Sequence, residues 1–452
     1  MALQTWLIKV KTAISNGLDT IKSNKPSKKT NVGVLAFEIA GLMSKLIHLW
    51  KSLSHKNIIR LRHESISLEG VRKIVSNEDD FLLALACAEM VENLKLVAKS
   101  VSRLTKRCNH DLGLNCFDHL FDEFSSRGLD PNGWVLSWKE MESNLKKLDR
   151  YVTLTMNLHK EMDELSEIDH GLKKSMQCND EKKIADLQQK LFWHKHEVKY
   201  LKQSSLWARS FDSITLLLAR LVFTVSARIK LVFGIGPSIY GPCLHRSLSV
   251  SATVYPSETT TCKFVSGPLI QVRQADIKNK FLDSNSKMLE PQPSTLGAAA
   301  LALHYANLII VIEKMIRSPQ LVGIDARDDL YGMLPSSIRV SLRGRLKGVG
   351  FSATDPVLAG EWRDALGRIL GWLSPLAHNM IKWQNERSFE QQNLIPKTNV
   401  LLLQTLYFAN QAKTEAAITE LLVGLNYIWR FEREMNTKAL LECSILPNLQ
   451  TN

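Results

Sequence analysis

A long run of apolar side chains, spaced alternately three and four residues apart, is the feature of this sequence that most restricts its fold. The run extends from Trp134 to Leu172, and a second run extends from Ile184 to Leu201. Residues at this spacing share one face of an α-helix, so each run predicts a long helix with one apolar seam. Because the polar break at 178–180 is short, the two helices are predicted to form an antiparallel hairpin. An intermolecular coiled coil is the alternative that the same seams allow.

Helical periodicity dominates most of the remaining sequence, with one clear interruption at residues 234–293. Six of the chain's 14 prolines fall there, together with clusters of Ser and Thr. A stretch of this length without periodicity is typical of a disordered linker and not of a loop within a compact domain. The sequence therefore predicts an all-α protein with two helical, bundle-like domains, at 31–233 and 294–452, joined by a long disordered linker. The helical hairpin lies in the first domain.

Capping residues and prolines predict helix boundaries in the second domain. Ser294 is a suitable N-cap for a helix that begins at Thr295. Pro356 lies where a first-turn proline is tolerated. Pro375 is predicted to kink or end a helix, because it lacks a backbone N–H and its ring crowds the preceding turn.

The first 30 residues form a predicted basic amphipathic segment, with six lysines and a single acidic residue. Such a helix can lie on an anionic membrane. It can also pack on the main body of the protein or act as a poor, arginine-free transit peptide. N-myristoylation is not expected, because Ala2 and not glycine follows the initiator methionine. The candidate membrane contacts are Trp6, Leu7, Lys9 and Lys11.

Residues 214–236 form the most apolar stretch of the chain and are long enough to suggest a membrane span. Three cations within the stretch, Arg220, Arg228 and Lys230, argue against this. Each central charge costs about 2.5 to 3.5 kcal/mol on insertion scales. A buried or interfacial helix is therefore predicted instead of a transmembrane helix.

Charge and cysteine content restrict the partners and the compartment. The chain carries 58 Lys and Arg against 45 Asp and Glu, which favours acidic proteins, anionic membranes or nucleic acid as partners. Seven scattered cysteines without a Cys-x-x-Cys pair disfavour a secreted disulfide framework and predict an intracellular protein. No metal or cofactor is predicted. His194 and His196 diverge on a helix, so they cannot share a metal ion, and one further set of ligand-capable residues lacks the spacing typical of zinc sites. That set is Cys108, His110, Cys116 and His119.

One helical segment, 336–347, is basic and contains no acidic residue. Its cations, a candidate site for binding an anion or a partner, are Arg339, Arg343, Arg345 and Lys347. The alternative is a solvated face paired with nearby acids such as Asp325, Asp328 and Asp329. Nucleic acid is disfavoured as the ligand, because 294–452 has 16 basic and 14 acidic residues and lacks an aromatic RNA-binding signature.

Motifs of the common enzyme classes are missing from the sequence. It has no Gly-x-x-x-x-Gly-Lys-Ser/Thr phosphate loop, no Gly-x-Ser-x-Gly elbow and no His-Glu-x-x-His pair, and a non-enzymatic protein with no catalytic residues is predicted. Ser247 and Ser249 follow Arg246 within the linker and are candidate phosphorylation sites.

Several long phrases of the sequence resemble a known plant family. The phrases VGVLAFEIAGLMSKLIHLW and SNEDDFLLALACAEMVENL resemble its N-terminal domain, and DLYGMLPSSIRVSLRGRLK and NVLLLQTLYFANQAKTEAAITELLVGLNYI resemble its C-terminal domain. The family is the plant phytosulfokine-simulator family, and both domains are of unknown function. The resemblance implies a growth-promoting role linked to peptide-hormone signalling, with locations in the nucleus or at the plasma membrane. The predicted location of this chain is the nucleus or cytoplasm, or the periphery of the plasma membrane.

Two functions follow as expectations. The first is a regulatory adaptor that binds signalling proteins through its helical surfaces. The alternative is a peripheral membrane protein that binds anionic lipid through a basic amphipathic helix. The sequence does not determine the oligomeric state.

Overall fold

The structure is a computed structural model that describes residues 31–108, 113–177, 181–234, 287–318, 323–347, 353–388 and 400–445. Helices are the regular elements of these ranges, and two isolated bridges join Asn31 to Ser210 and Thr295 to Asn410. The predicted all-α class is confirmed. The predictions for Trp6, Leu7, Lys9, Lys11, Ser247 and Ser249, and for most of the linker, lie outside the described residues.

The helices fall on either side of that linker in sequence. Before it lie α1 (Ala36–Ser52), α2 (His55–Arg60), α3 (Glu69–Ile74), α4 (Asp79–Thr105), α5 (Phe117–Arg127), α6 (Trp138–Gln177), α7 (Glu181–Ser204) and α8 (Phe211–Phe233). After it lie α9 (Ala302–Arg317), α10 (Ile324–Met333), α11 (Ser336–Leu346), α12 (Pro356–Ser388) and α13 (Gln411–Ile445). A first hydrophobic cluster is built mainly from α1, α4, α5, α6 and α8, and a second from α9 to α13.

The predicted antiparallel hairpin is formed by α6 and α7. Leu158 of α6 packs with Val198 and Leu201 of α7, and these three side chains are buried. Closer to α1, the backbone N–H of Leu206, which follows α7, donates a hydrogen bond to Thr155 Oγ1 of α6 at 3.3 Å. This part of the seam is therefore closed within one chain, whereas the seam residues nearer the tip of the hairpin, such as Leu165 and Leu187, are half-buried. One residue near the start of the seam departs from the prediction: Trp138 is 52% exposed, and its ring lies tilted against that of Trp50 of α1 with 5.2 Å between the centroids.

Residues 214–233 of the apolar stretch lie in α8, which packs within the first cluster. Each of its cations donates to a backbone carbonyl: Arg220 to Trp134 at 3.4 Å, Arg228 to Leu53 at 3.3 Å and Lys230 to Phe124 at 2.7 Å. Burial lowers the pKa of Lys230 to about 8. The cost of burying these charges is thus reduced by hydrogen bonds to carbonyl oxygens.

Among the described helices, one segment passes a test of length and composition for crossing a membrane. This segment, Gly33–Ser52, includes α1, and 56% of its most apolar window is buried inside the protein. Ile39, Met43 and Leu46 of α1 are fully covered by the first cluster.

Two helix boundaries in the second half differ from the sequence prediction. The helix expected from Thr295 begins at Ala302, because the backbone before it pairs with another segment: the N–H of Leu296 donates to Ala409 and that of Gly297 to Tyr407, both at 2.9 Å. Helix α12 begins at Pro356, as predicted, but does not end at Pro375. Burial of Leu373, Leu376 and Ala377 on both sides of that proline favours the continuous helix.

The two hydrophobic clusters meet at one junction. The backbone N–H of Asn410 donates to Ile74 O at 2.7 Å, and Lys73 lies over the Trp372 ring, 5.0 Å from its centroid. A Cβ at Gly70 would collide with the carbonyl oxygen of Trp372 and with Leu376. Residues of both predicted domains therefore pack together, and the boundaries at 31–233 and 294–452 stay a prediction.

A buried carboxylate completes this junction. Glu89 of α4 is 7% exposed, and its Oε2 accepts the backbone N–H of Leu402 at 2.7 Å. Burial raises the pKa of Glu89 to about 7, although the Leu402 hydrogen bond and the charge of Arg387 oppose that rise. The carboxyl group thus joins α4 to the segment that precedes α13.

Replacement of Gly70 by Ala is predicted to destabilise the protein. Because the new methyl group would meet the backbone of α12, the free energy of unfolding should fall by about 1 to 3 kcal/mol, as in other overpacked sites. The measurement is urea denaturation followed by circular dichroism. Gly367→Ala is the matched control, since nothing lies within 4 Å of a Cβ there and the helix propensity of Ala should be neutral or favourable. Equal stability of the two variants would contradict the close approach at Gly70.

Glu89→Gln is predicted to change how stability depends on pH. A folded-state pKa of about 7, above the ordinary 4.5, means that Glu89 makes folding less favourable as pH rises from 4.5 to 7. Glu89→Gln should remove that component, on the order of 3 kcal/mol across the interval. The measurement is the unfolding free energy of parent and variant at several pH values. Glu92→Gln serves as the control on the same helix, and parallel curves for parent and Glu89→Gln would refute the assignment.

Candidate interaction surfaces

The predicted basic segment forms α11, and two of its arginines converge on one tyrosine. Arg343 donates to Tyr331 Oη from Nε at 3.0 Å and from Nη2 at 2.7 Å. Arg339 donates to Gly332 O at 2.7 Å and lies 5.3 Å from the Tyr331 ring centroid. Tyr331 comes from α10, so the α10–α11 corner holds both guanidinium groups in place. We name Arg339, Arg343 and Tyr331 the arginine–tyrosine patch.

The other two predicted cations do not join the patch through these contacts. Arg345 forms an ion pair with Glu420 of α13 at 2.6 Å, and Lys347 is exposed at the end of α11. Among the described residues, no ion pair joins these cations to Asp325, Asp328 or Asp329, the acids that the solvated-face alternative proposed. Binding of an anion or a partner by the four cations stays a prediction.

A second surface lies on the hairpin and was missed by sequence reasoning. Phe192, Trp193 and Tyr200 of α7 are 57%, 63% and 60% exposed, and they lie opposite the buried Val198 and Leu201. The ring of His196 lies tilted against that of Phe192, with 4.8 Å between the ring centroids. We name Phe192, Trp193, His196 and Tyr200 the aromatic stripe. The spacing of residues 192, 196 and 200 by four was the signal available in the sequence, but the stronger apolar seam obscured it.

A third, shallow feature lies on α13. It is a groove of about 440 Å³ lined by Trp429, Arg430, Arg433, Glu434, Thr437 and Lys438. The guanidinium carbon of Arg327 lies 3.6 Å from the Trp429 ring centroid and that of Arg433 lies 5.6 Å away. Sequence reasoning did not find this groove, because Arg327 and Trp429 are distant in the chain.

Buried titratable groups lie apart from these surfaces. Cys87 and Glu89 are enclosed in the first cluster, where burial raises the pKa of the Cys87 thiol to about 12. A thiol of that pKa remains protonated near neutral pH and is a poor nucleophile. In the set with atypical zinc spacing, Cys108 is half-buried, Cys116 and His119 are exposed, and His110 lies outside the described residues.

The fold and surfaces define an all-helical protein that carries two domains whose functions are unknown. Residues 34–90 match the family model described as "Domain of unknown function (DUF3475)", and residues 295–382 match "Protein of unknown function (DUF668)". Over most of its length the chain is homologous to the PSK SIMULATOR proteins of Arabidopsis thaliana, which confirms the resemblance found in the sequence. No solved structure matches the chain with statistical significance.

Three of these relatives have similar degrees of identity to the chain. Protein PSK SIMULATOR 3 is 27% identical over 425 residues, PSK SIMULATOR 1 is 26% identical over 428 and PSK SIMULATOR 2 is 25% identical over 428. Each alignment covers 90% of this chain but only 57%, 56% and 61% of the respective relative. The chain therefore spans less than two thirds of the length of these relatives.

Loss of Arg343 and Lys347, two exposed cations at the C-terminal end of α11, is predicted to weaken binding to anionic surfaces. Arg343→Ala with Lys347→Ala should lower sedimentation with phosphatidylserine vesicles by about half or more, and the remaining binding should fall as salt rises. Lys56→Ala with Lys174→Ala removes the same charge from exposed positions elsewhere and is the control. Equal losses in the two double variants would show that net charge, and not this segment, governs binding.

Proposed function

We propose that the chain is a non-enzymatic regulatory adaptor that promotes plant growth in connection with peptide-hormone signalling. The homologous relatives carry the name PSK SIMULATOR, and that name supports a link to phytosulfokine signalling. The protein acts in this role by binding signalling proteins in the nucleus, in the cytoplasm or peripherally at the plasma membrane.

The aromatic stripe is the observation that carries this proposal. Exposed aromatic side chains grouped on one helix face mark surfaces that bind partners, because their apolar area is covered only in a complex. Phe192, Trp193 and Tyr200 are each more than half exposed, although Val198 and Leu201 on the opposite face of α7 are buried. The hairpin is thus a rigid support whose outer face offers large apolar anchors.

The charges beside the stripe favour an acidic partner. Lys195 and Lys199 are exposed on α7, one turn of helix apart, and flank Phe192 and His196. A partner helix with an apolar face and acidic residues along one edge would cover the aromatic rings and pair with both lysines. We therefore assign the stripe to an amphipathic, acidic segment of a signalling protein.

Truncation of the stripe is predicted to abolish partner binding without unfolding the chain. The variant Phe192→Ala, Trp193→Ala, Tyr200→Ala removes exposed side chains, so its helicity should equal that of the parent. Proteins recovered with the parent from growing plant tissue and quantified by mass spectrometry should include one that this variant loses. With that protein purified, its Kd for the full chain should rise at least about tenfold, as expected for aromatic anchors.

Two further variants make the result specific. Val357→Ala, Leu440→Ala and Leu129→Ala together truncate equally exposed apolar residues on other surfaces and should leave binding unchanged. Lys195→Glu with Lys199→Glu should weaken binding and reduce its salt dependence. If the parent and the stripe variant recover the same proteins in equal amounts, the stripe is not the adaptor surface.

The alternative function is recognition of anionic lipid by a peripheral membrane protein. The exposed Arg343 and Lys347 favour this possibility, and the vesicle experiment above tests it. The contacts first considered for that role, Trp6, Leu7, Lys9 and Lys11, lie outside the described residues.

A further inference from the structure

Three ligand-capable side chains meet between the two helices of the hairpin. Glu161 and Glu164 are one turn apart on α6 and project from the same face, and His194 reaches them from α7. One oxygen or nitrogen from each side chain lies within 4.8 Å of the other two. All three residues are half-buried, so water and ions can reach the cluster.

The distances between the three ligand atoms are near those found around a bound metal ion. His194 Nδ1 lies 2.7 Å from Glu161 Oε2 and 3.9 Å from Glu164 Oε2. Ligands at about 2.0 to 2.2 Å from a tetrahedral Zn²⁺ are separated from one another by roughly 3.3 Å. The two observed separations lie on either side of this value, and the third, between the two carboxylate oxygens, is at most 4.8 Å, so rotation of the side chains would bring all three atoms around one ion.

The charges also favour a cation. Two carboxylates face one imidazole, and only the Glu161 carboxylate forms a hydrogen bond with His194. Lys160 contacts the other oxygen of Glu164, Oε1, at 3.3 Å, which leaves Oε2 directed at the histidine. A divalent ion in place of the imidazole proton would interact with both carboxylates at once.

The chemistry of the ligand set selects the ion. Imidazole nitrogen favours Zn²⁺ over Mg²⁺ and Ca²⁺, which prefer oxygen ligands. Two carboxylates and one histidine leave a fourth position for water in a tetrahedral site. We infer that Glu161, Glu164 and His194 form a Zn²⁺ site that joins α6 to α7 at the middle of the hairpin.

The experiment is calorimetric titration of Zn²⁺ into the full chain after treatment with a chelator. His194→Gln is the decisive variant, since its amide can still donate to Glu161 but cannot replace imidazole as a zinc ligand. The parent should bind one more equivalent of Zn²⁺ than this variant, or bind it at least about tenfold more tightly. Zn²⁺ should also raise the unfolding temperature of the parent more than that of the variant.

The matched control is His196→Ala, which removes a histidine from the opposite face of the same helix. Its Zn²⁺ binding should equal that of the parent, and comparison between variants accounts for zinc held by cysteines or other histidines. Glu161→Gln with Glu164→Gln should reproduce the loss seen in His194→Gln, and circular dichroism should show that the variants remain helical. Equal Zn²⁺ binding by the parent and His194→Gln would overturn the inference, as would replacement of Zn²⁺ by equimolar Mg²⁺ or Ca²⁺. The readout does not depend on recovery of a protein partner, so it is independent of the proposed adaptor function.

Discussion

The contact between α4 and the segment before α13 fixes the relation between the two halves of this protein. Residues 402–409 supply side chains to both hydrophobic clusters: Leu402, Leu403 and Phe408 pack in the first, and Leu406 and Ala409 in the second. Glu89 anchors this segment by accepting the Leu402 N–H inside the core. Because the close approach of α3 and α12 at Gly70 leaves no room for a side chain, the junction permits little sliding between the clusters.

The two clusters joined at that junction support the helices that carry the exposed surfaces. Helix α11 packs against α13, with the Arg345–Glu420 ion pair between them, so the arginine–tyrosine patch lies on the second cluster. The hairpin extends from the first cluster, where α6 packs against α1. A long helix pair that is anchored at one end can present its outer face without rearranging the core. The structure thus separates the residues that stabilise the fold from those available for binding.

Much of the architecture could be predicted from periodicity, because helical seams are local signals. The hairpin and the buried α8 follow directly from the spacing of apolar residues and from the three cations of that helix. The late start of α9 could not be predicted, since it depends on backbone hydrogen bonds from Leu296 and Gly297 to a segment more than a hundred residues away. Of the two outcomes predicted for Pro375, a kink or an end of the helix, the end does not occur, because burial on both sides of the proline outweighs its cost of about 3 kcal/mol in a helix interior.

The candidate sites, like the fold, could be predicted from the sequence only in part. The clustered cations of α11 were evident in the sequence, but their partners were not, because Tyr331 and Glu420 belong to other helices. Similarly, the sequence paired His194 only with His196, which diverges from it on the helix, and the meeting of His194 with Glu161 depends on the register of the hairpin.

A single helix carries three different faces as a result. One face of α7 seals the seam with Val198 and Leu201, the adjacent edge brings His194 to the carboxylates of α6, and the outer face exposes the aromatic stripe. Since Trp193 and His194 are neighbours in sequence, any rotation of α7 about its axis would move all three faces together. The packing of the seam therefore determines both the geometry of the cluster and the direction in which the aromatic rings point. The recognition proposed for the stripe thus depends on the same apolar contacts that hold the hairpin closed.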